Sequence, residues 1–135
     1  MEAEFIVSGK PVGKQRPRSN GNHFYTPQKT KDYENHVREC YRSQVENVFF
    51  ESGVQAYIYV YITLPSSYSK KRKSELLWRG ASVKPDLDNV AKSILDALNG
   101  VAYKDDKQVN TLCISRMYGL EDEIVVRLCE PQEGE

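Results

Sequence analysis

The chain has 135 residues, 39% of them hydrophobic and 28% charged, enough for one domain around a single core and too apolar for disorder. Its formal net charge is +0, yet residues 1–84 hold 14 Lys/Arg against 8 Asp/Glu and residues 85–135 hold 5 against 11. A basic half beside an acidic half suits a polyanion held next to metal ions, and suits equally two halves that neutralise each other. Cys40, Cys113 and Cys129 are odd in number and far apart, without a C-x-x-C pair, which argues against zinc and against a disulfide framework. The opening MEAEFIVSGK has no signal-peptide core and no apolar run approaches the ~20 residues of a membrane helix, so a soluble cytoplasmic protein without a membrane partner is expected.

In chain order, residues 4–9 read as a short strand with Phe5 and Val7 on one face, ended by Gly9 and Pro11. A basic loop follows. Thr26-Pro27 opens a helix, with Thr as N-cap and Pro at the first helical position. Tyr33, Val37, Cys40, Tyr41 and Val48 then recur near helical spacing, which predicts a helix to about residue 49, stopping before Gly53. Residues 54–63 alternate strictly, with Val54, Ala56, Ile58, Val60 and Ile62 on one face and Gln55, Tyr57, Tyr59, Tyr61 and Thr63 on the other, and so predict a strand whose tyrosines cover a helix or a subunit partner. The segment SYSKKRKSELLWRGAS is expected to form a short helix between a serine cap and Gly80. An amphipathic helix over 88–99, a strand over 108–118, a turn at 119–122 and a strand over 124–128 complete the order, with 130–135 as a frayed tail. This succession predicts a single α+β domain spanning 1–135, a mixed β-sheet with helices packed on one face.

The helix over 88–99 carries the chemistry. It puts Val90, Ala91, Ile94, Leu95, Ala97 and Leu98 on one arc and Asp88, Lys92, Asp96 and Asn99 on the other. Asp86 and Asp88 open this helix, and Asp105-Asp106 sit in a turn just past its end. If the segment after Gly100 doubles back as a strand, Asp105 or Asp106 returns close to the helix start and three oxygen ligands converge. Mg²⁺ takes such an arrangement, with few protein carboxylates and the remaining positions left to water and phosphate. Taken singly, Asp88 reads as a helix cap and Asp105-Asp106 as an ordinary turn pair. Neither reading accounts for Asp86, or for Lys92 beside Asp88 on the polar arc. Asp96 is expected to orient the Lys92 ammonium through an i,i+4 contact.

The run KPDLDN, followed by Lys92, Asp96 and Asp105-Asp106, resembles the RusA family of endodeoxyribonucleases, which resolve Holliday junctions. The likeness extends to GKPVGKQRPR at residues 9–18 and to Tyr25-Thr26-Pro27, so two separated motifs in the same order span nearly the whole chain. The resemblance implies a RusA-like fold in which Asp86, Asp88 and Asp106 bind metal with Asp105 beside them, and in which Lys92 serves catalysis one helical turn on. Some members place an arginine directly before the first aspartate. Pro85 stands there in this chain, so that contact is either moved to Lys84 or lost. Lys14, Arg16 and Arg18, in a loop that Pro17 holds extended, are expected to contact phosphate, and Lys70, Lys71, Arg72 and Lys73 form a second basic patch for DNA.

These readings predict a Mg²⁺-dependent, structure-selective endodeoxyribonuclease with one or two ions per subunit. Its expected substrate is the four-way junction, resolved by paired symmetric nicks during DNA recombination and repair. One cluster per chain and two strands to nick call for a two-fold homodimer, with the 54–63 strand as a candidate interface. The competing readings are a non-catalytic branched-DNA-binding protein on the same fold and a nuclease for other branched DNA, such as flaps or forks.

Overall fold

Two residue periods build the structure: two along the strands and 3.6 along the helices. The computed structural model describes residues 1–79 and 83–132. Its strands are β1 (Glu2–Ser8), β2 (Arg18–Asn20), β3 (His23–Tyr25), β4 (Val54–Ile62), β5 (Val109–Tyr118) and β6 (Glu123–Cys129). Its helices are α1 (Gln28–Gln44), α2 (Lys70–Arg79) and α3 (Leu87–Ala97), with a 3₁₀ turn at Asp106–Gln108. The four-stranded sheet has the order β1-β6-β4-β5. The β4–β5 pair is parallel and the other two pairs are antiparallel, so the sheet is mixed, as the element order predicted.

Alternation decides which face is buried. Phe5 of β1 and Ile58 of β4 both lie opposite Val126 of β6, and all three side chains are fully enclosed. Tyr33, Val37 and Tyr41 of α1 and Val90, Ala91, Ile94 and Leu95 of α3 close over that face. Tyr41 meets Phe5 edge to face at 5.2 Å, a favoured aromatic geometry, and its hydroxyl donates to the Val48 carbonyl at 2.7 Å. The opposite face carries Gln55, Tyr57, Tyr59 and Tyr61, all half-buried. There Arg127 lies 5.8 Å above the Tyr57 ring and pairs with Glu2 at 2.7 Å.

Several boundaries differ from the sequence expectation for identifiable reasons. Pro27, expected as the first helical residue, is the N-cap of α1, and Thr26 does not cap it. The Pro27 carbonyl accepts from the N–H groups of Thr30 and Lys31, which starts the helix one residue later. α1 ends at Gln44, not near residue 49, because the following backbone finds tertiary partners. Asn47 turns left-handed at φ 52, and Phe50 bonds through its N–H to the Ala102 carbonyl at 2.7 Å and enters the core. The hairpin β2–β3 was not anticipated, although Asn20-Gly21-Asn22-His23 has a turn signal and Gly21 supplies φ 67. Glu130, expected to begin a frayed tail, is tied to the amino terminus by an ion pair at 3.5 Å and a backbone hydrogen bond. Ser69 caps α2 by accepting from the Arg72 N–H at 3.1 Å, while the expected stop at Gly80 and the last residues of the tail lie outside the described residues. Among the described residues no helix is long and apolar enough to cross a membrane.

Candidate active site

α3 starts at Leu87 because Asp86, not Asp88, is its N-cap. Asp86 has an extended backbone at φ −63 and ψ 146, while its carbonyl already accepts from the Val90 N–H at 3.1 Å. Its carboxylate makes no capping hydrogen bond, so it is exposed and uncommitted at the partially positive end of the helix. Asp88 follows in the first turn, also exposed. Lys92, one turn further, is exposed and makes no ion pair among the described residues. The far end of the helix is bound by Arg38, whose Nε donates to the Ala97 carbonyl at 2.9 Å, a cation at the partially negative terminus.

The basic loop after β1 is laced along α3. Ser93 Oγ donates to the Val12 carbonyl at 2.7 Å, and the Lys14 N–H donates to the Asn89 carbonyl at 3.0 Å. Gly13 permits this approach, since a Cβ there would fall 2.9 Å from Pro85 Cβ and 3.2 Å from Asn89 Cβ. Lys14, expected to contact phosphate, is bound within the chain by two carboxylates. Its ammonium is held by the Glu34 carboxylate and lies 3.3 Å from Asp96 Oδ2, with only 19% of the side chain exposed. Burial works against the charge, but the hydrogen bonds and charges of Glu34 and Asp96 outweigh it and raise the Lys14 pKa above 10.5. Asp96 is thereby taken by Lys14 from the neighbouring loop and not by Lys92 on its own helix, contrary to the i,i+4 expectation. Arg16 and Arg18 are exposed beyond this clamp.

The turn that carries Asp105 and Asp106 closes against the other end of α3. The Tyr103 hydroxyl, fully buried, donates to the Leu95 carbonyl at 2.7 Å. Asp105 caps the 3₁₀ turn by accepting from the Lys107 N–H at 2.8 Å, the main reason its carboxyl titrates below the usual value. Asp106 is shifted upward, first by burial, then by the hydrogen bond it shares with Asp105 and by repulsion from Asp96 and Asp105. Its charged neighbours are therefore at the carboxyl end of α3. At the amino end stands Arg116, from the far end of β5, whose guanidinium donates to the Pro85 carbonyl. β5 thus runs back along α3. Asp106 stands at its start beside Asp96, and Asp96 is ten residues from Asp86, roughly 15 Å at 1.5 Å per residue.

The expected convergence of three carboxylates does not occur within one chain. Among the described residues no group of three or more His, Cys, Asp or Glu side chains stands close enough to hold a metal ion. The carboxylates form two separated sets, Asp86 with Asp88 and Asp106 with Asp105 and Asp96. The sequence reading failed here because it returned the chain to the helix start, whereas the short turn after Gly100 brings Asp105-Asp106 only to its end. The first set still fits Mg²⁺, which takes one or two protein carboxylates and leaves the other positions to water and phosphate.

A cleft of about 470 Å³ opens beside that first set, lined by Asp86 and Asn89 of α3 together with Gly13, Lys14, Lys29 and Lys84. Lys84 is exposed there, where the chain enters α3, and Lys29 projects from the first turn of α1. Lys70, Lys71, Arg72 and Lys73 begin α2, which buries none of its residues, so this second basic patch lies open to solvent. Sequence reasoning missed Lys29, Glu34, Arg38 and Arg116, because each acquires its role from a neighbour distant in the chain and none belongs to a local motif, and it gave no role to Asn89 of the KPDLDN run, whose backbone carbonyl receives the Lys14 N–H. Arg116 Nε is also buried without a hydrogen-bond partner among the described residues.

Comparison with known proteins gives the same direction. A family model described as Endodeoxyribonuclease RusA matches residues 8–129. The chain is 35% identical to a Bacillus subtilis (strain 168) protein described as uncharacterized protein YqaN, over 94% of this chain and 95% of that one. With a match over nearly its full length and the aspartates, lysines and basic loop arranged as described, the chain belongs to the RusA family of endodeoxyribonucleases, divalent-metal-dependent enzymes that act on branched DNA in Holliday junction resolution.

Proposed function

We propose that this chain is a Mg²⁺-dependent, structure-selective endonuclease that resolves Holliday junctions by paired symmetric nicks, acting as a two-fold dimer in the cytoplasm. The observation that carries the reading is the cleft lined together by Asp86, whose carboxylate makes no capping hydrogen bond, and by the cations Lys29 and Lys84. A phosphodiester lying along these lysines sits beside Asp86 and Asp88, the residues that would hold the divalent ion between themselves and the phosphoryl oxygens. When bound, that ion supplies Lewis acidity and a more acidic water. Lys92, exposed one turn on and free of an ion pair among the described residues, meets the negative charge that builds on the phosphoryl group. Arg16, Arg18, Lys84 and the α2 patch hold the strands through phosphate, which makes shape rather than base sequence the main determinant of binding.

The separation of the two carboxylate sets favours the dimer. Asp106, and Asp105 beside it, join Asp86 and Asp88 only if a second copy brings its own turn to this cleft. Such sharing is tested by mixing two inactive variants, Asp88→Asn and Asp106→Asn. A shared site regains one intact cleft per mixed dimer and nicks one strand, whereas sites built within single chains stay silent. The activity itself is tested by incubating the chain with four-way, three-way, flap and linear DNA, with and without Mg²⁺. Symmetric nicks confined to the four-way junction are expected, and Asp86→Asn should lose them while binding DNA as well as before or better. Binding without nicking of any substrate by the unmodified chain would favour a non-catalytic branched-DNA-binding protein, and preferential cutting of flaps or forks a different branched-DNA nuclease.

A further inference from the structure

A second cavity, of about 440 Å³, adjoins the phosphate cleft and shares Pro11, Lys84 and Pro85 with it. Its walls are of a different kind: Tyr68 and Tyr118 contribute aromatic rings, and Ile62, Val83 and Pro85 apolar surface. Lys10 and Lys84 also line it, and the Arg72 guanidinium, outside the lining, lies 3.7 Å over one face of the Tyr68 ring, which puts a third cation close by. Asp122 supplies directional chemistry. Its Oδ1 accepts from the Thr63 N–H at 2.8 Å and the Thr63 hydroxyl at 3.3 Å, and its backbone carbonyl accepts from the Gly9 N–H at 2.9 Å. Oδ2 has no partner among the described residues. The carboxylate is therefore anchored by one oxygen and offers the other as an acceptor.

We infer that this cavity receives a single nucleobase unstacked from the junction next to the phosphate in the cleft. Three features select that occupant. Aromatic and apolar walls with ring faces replace the stacking that a base loses on leaving its helix. The cations lining it or close by match the phosphates on either side of an extruded nucleotide. A free carboxylate oxygen accepts most readily from an exocyclic amino group, as on cytosine, adenine or guanine, whereas the one donor of thymine, N3–H, lies between two carbonyls that repel a carboxylate, so thymine is held least well. The branch point of a four-way junction is where unstacking costs least, so the cavity ties recognition of a branch to the choice of the phosphate beside it. The inference rests on the junction reading above.

The test uses a four-way junction carrying 2-aminopurine at each position around the branch point in turn, with the full chain and EDTA, so that no strand is cut. Emission should rise at one position next to the mapped nick. The rise should be lost in Tyr118→Ala and kept in Tyr118→Phe, which preserves the ring. With Mg²⁺ and junctions differing only at that nucleotide, thymine should be nicked least, and Asp122→Asn, which keeps an acceptor for Thr63 but turns the free oxygen into a donor, should remove the bias. Unchanged emission at every position, or Tyr118→Ala behaving as the unmodified chain, overturns the inference while leaving nuclease activity untouched. A localised rise in a chain that never nicks DNA upholds the cavity and refutes the nuclease reading, and failure to bind junctions at all refutes both.

Discussion

Replacing Lys14 by Met separates the phosphate contact expected from the sequence from the ion-pair clamp found in the fold. Methionine retains most of the aliphatic stem and removes only the charge. In the folded chain that charge sits between Glu34 and Asp96, whose side chains are 13% and 22% exposed. Breaking a fully buried pair costs about 3–5 kcal/mol and an exposed pair about 0–1. With all three side chains mostly enclosed and Glu34 still held by Arg38 at 3.2 Å, a loss of about 2 kcal/mol is expected. For a chain of this size that is on the order of 8 °C in Tm. Because the Lys14 pKa is raised in the folded state, its contribution is complete below 10.5 and is lost only as pH rises through the higher folded value. Urea unfolding at neutral pH measures the loss, and a double-mutant cycle with Asp96→Asn should return a coupling of about 1 kcal/mol or more. Junction binding measured against salt supplies the second arm: the slope of log K on log salt should be unchanged by Lys14→Met and reduced by about 1 in Arg16→Ala. A destabilisation below about 0.5 kcal/mol together with a reduced slope would show Lys14 to be a phosphate contact and the clamp to be energetically idle.

Tyr103→Phe removes the hydroxyl that joins the aspartate turn to the Leu95 carbonyl, in a fully buried position. A loss of about 1–2 kcal/mol in urea unfolding is expected, and an effect under about 0.5 would mean that water or another donor serves that carbonyl. Asp106→Asn is expected to abolish nicking yet raise Tm at neutral pH in the presence of a chelator, because it relieves repulsion from Asp96 and Asp105. The sign follows from the raised pKa: protonation of Asp106 favours the folded state, so its charged form costs stability once pH exceeds the folded value. The difference between variant and parent should therefore begin to shrink as pH falls through the raised folded value and be gone below the ordinary carboxylate value of 3.8. A variant no more stable than the parent at neutral pH would show that the three carboxylates do not repel one another.

Much of this molecule was legible from local spacing alone. Alternation in β4 identified its buried face, Val54 through Ile62, because side chains on a strand change sides at every residue whatever lies around them. The apolar arc of α3 was equally plain, and with it the exposure of Asp88 and Lys92, since a helix fixes which positions share a face, although Asp96 and Asn99 of the same polar arc are half-buried. Family membership, too, could be read from two ordered motifs and is shown by the match over residues 8–129.

Distances between elements were not legible, because they depend on which way the chain returns after a turn. Spacing places Asp105-Asp106 just past α3, but only the packing of Tyr103 on Leu95 and of Arg116 on Pro85 shows that β5 runs back along the helix, leaving Asp106 beside Asp96 and far from Asp86. The same holds for Lys14, whose charge is directed inward by Glu34 from α1 and Asp96 from α3, and for Phe50, drawn from an expected helix end into the core by the Ala102 carbonyl. Residue type and period set what each segment is, because those are short-range steric and solvation effects. Where its polar groups end up is set by the requirement that every buried charge and backbone donor find a partner, which only the assembled fold can satisfy.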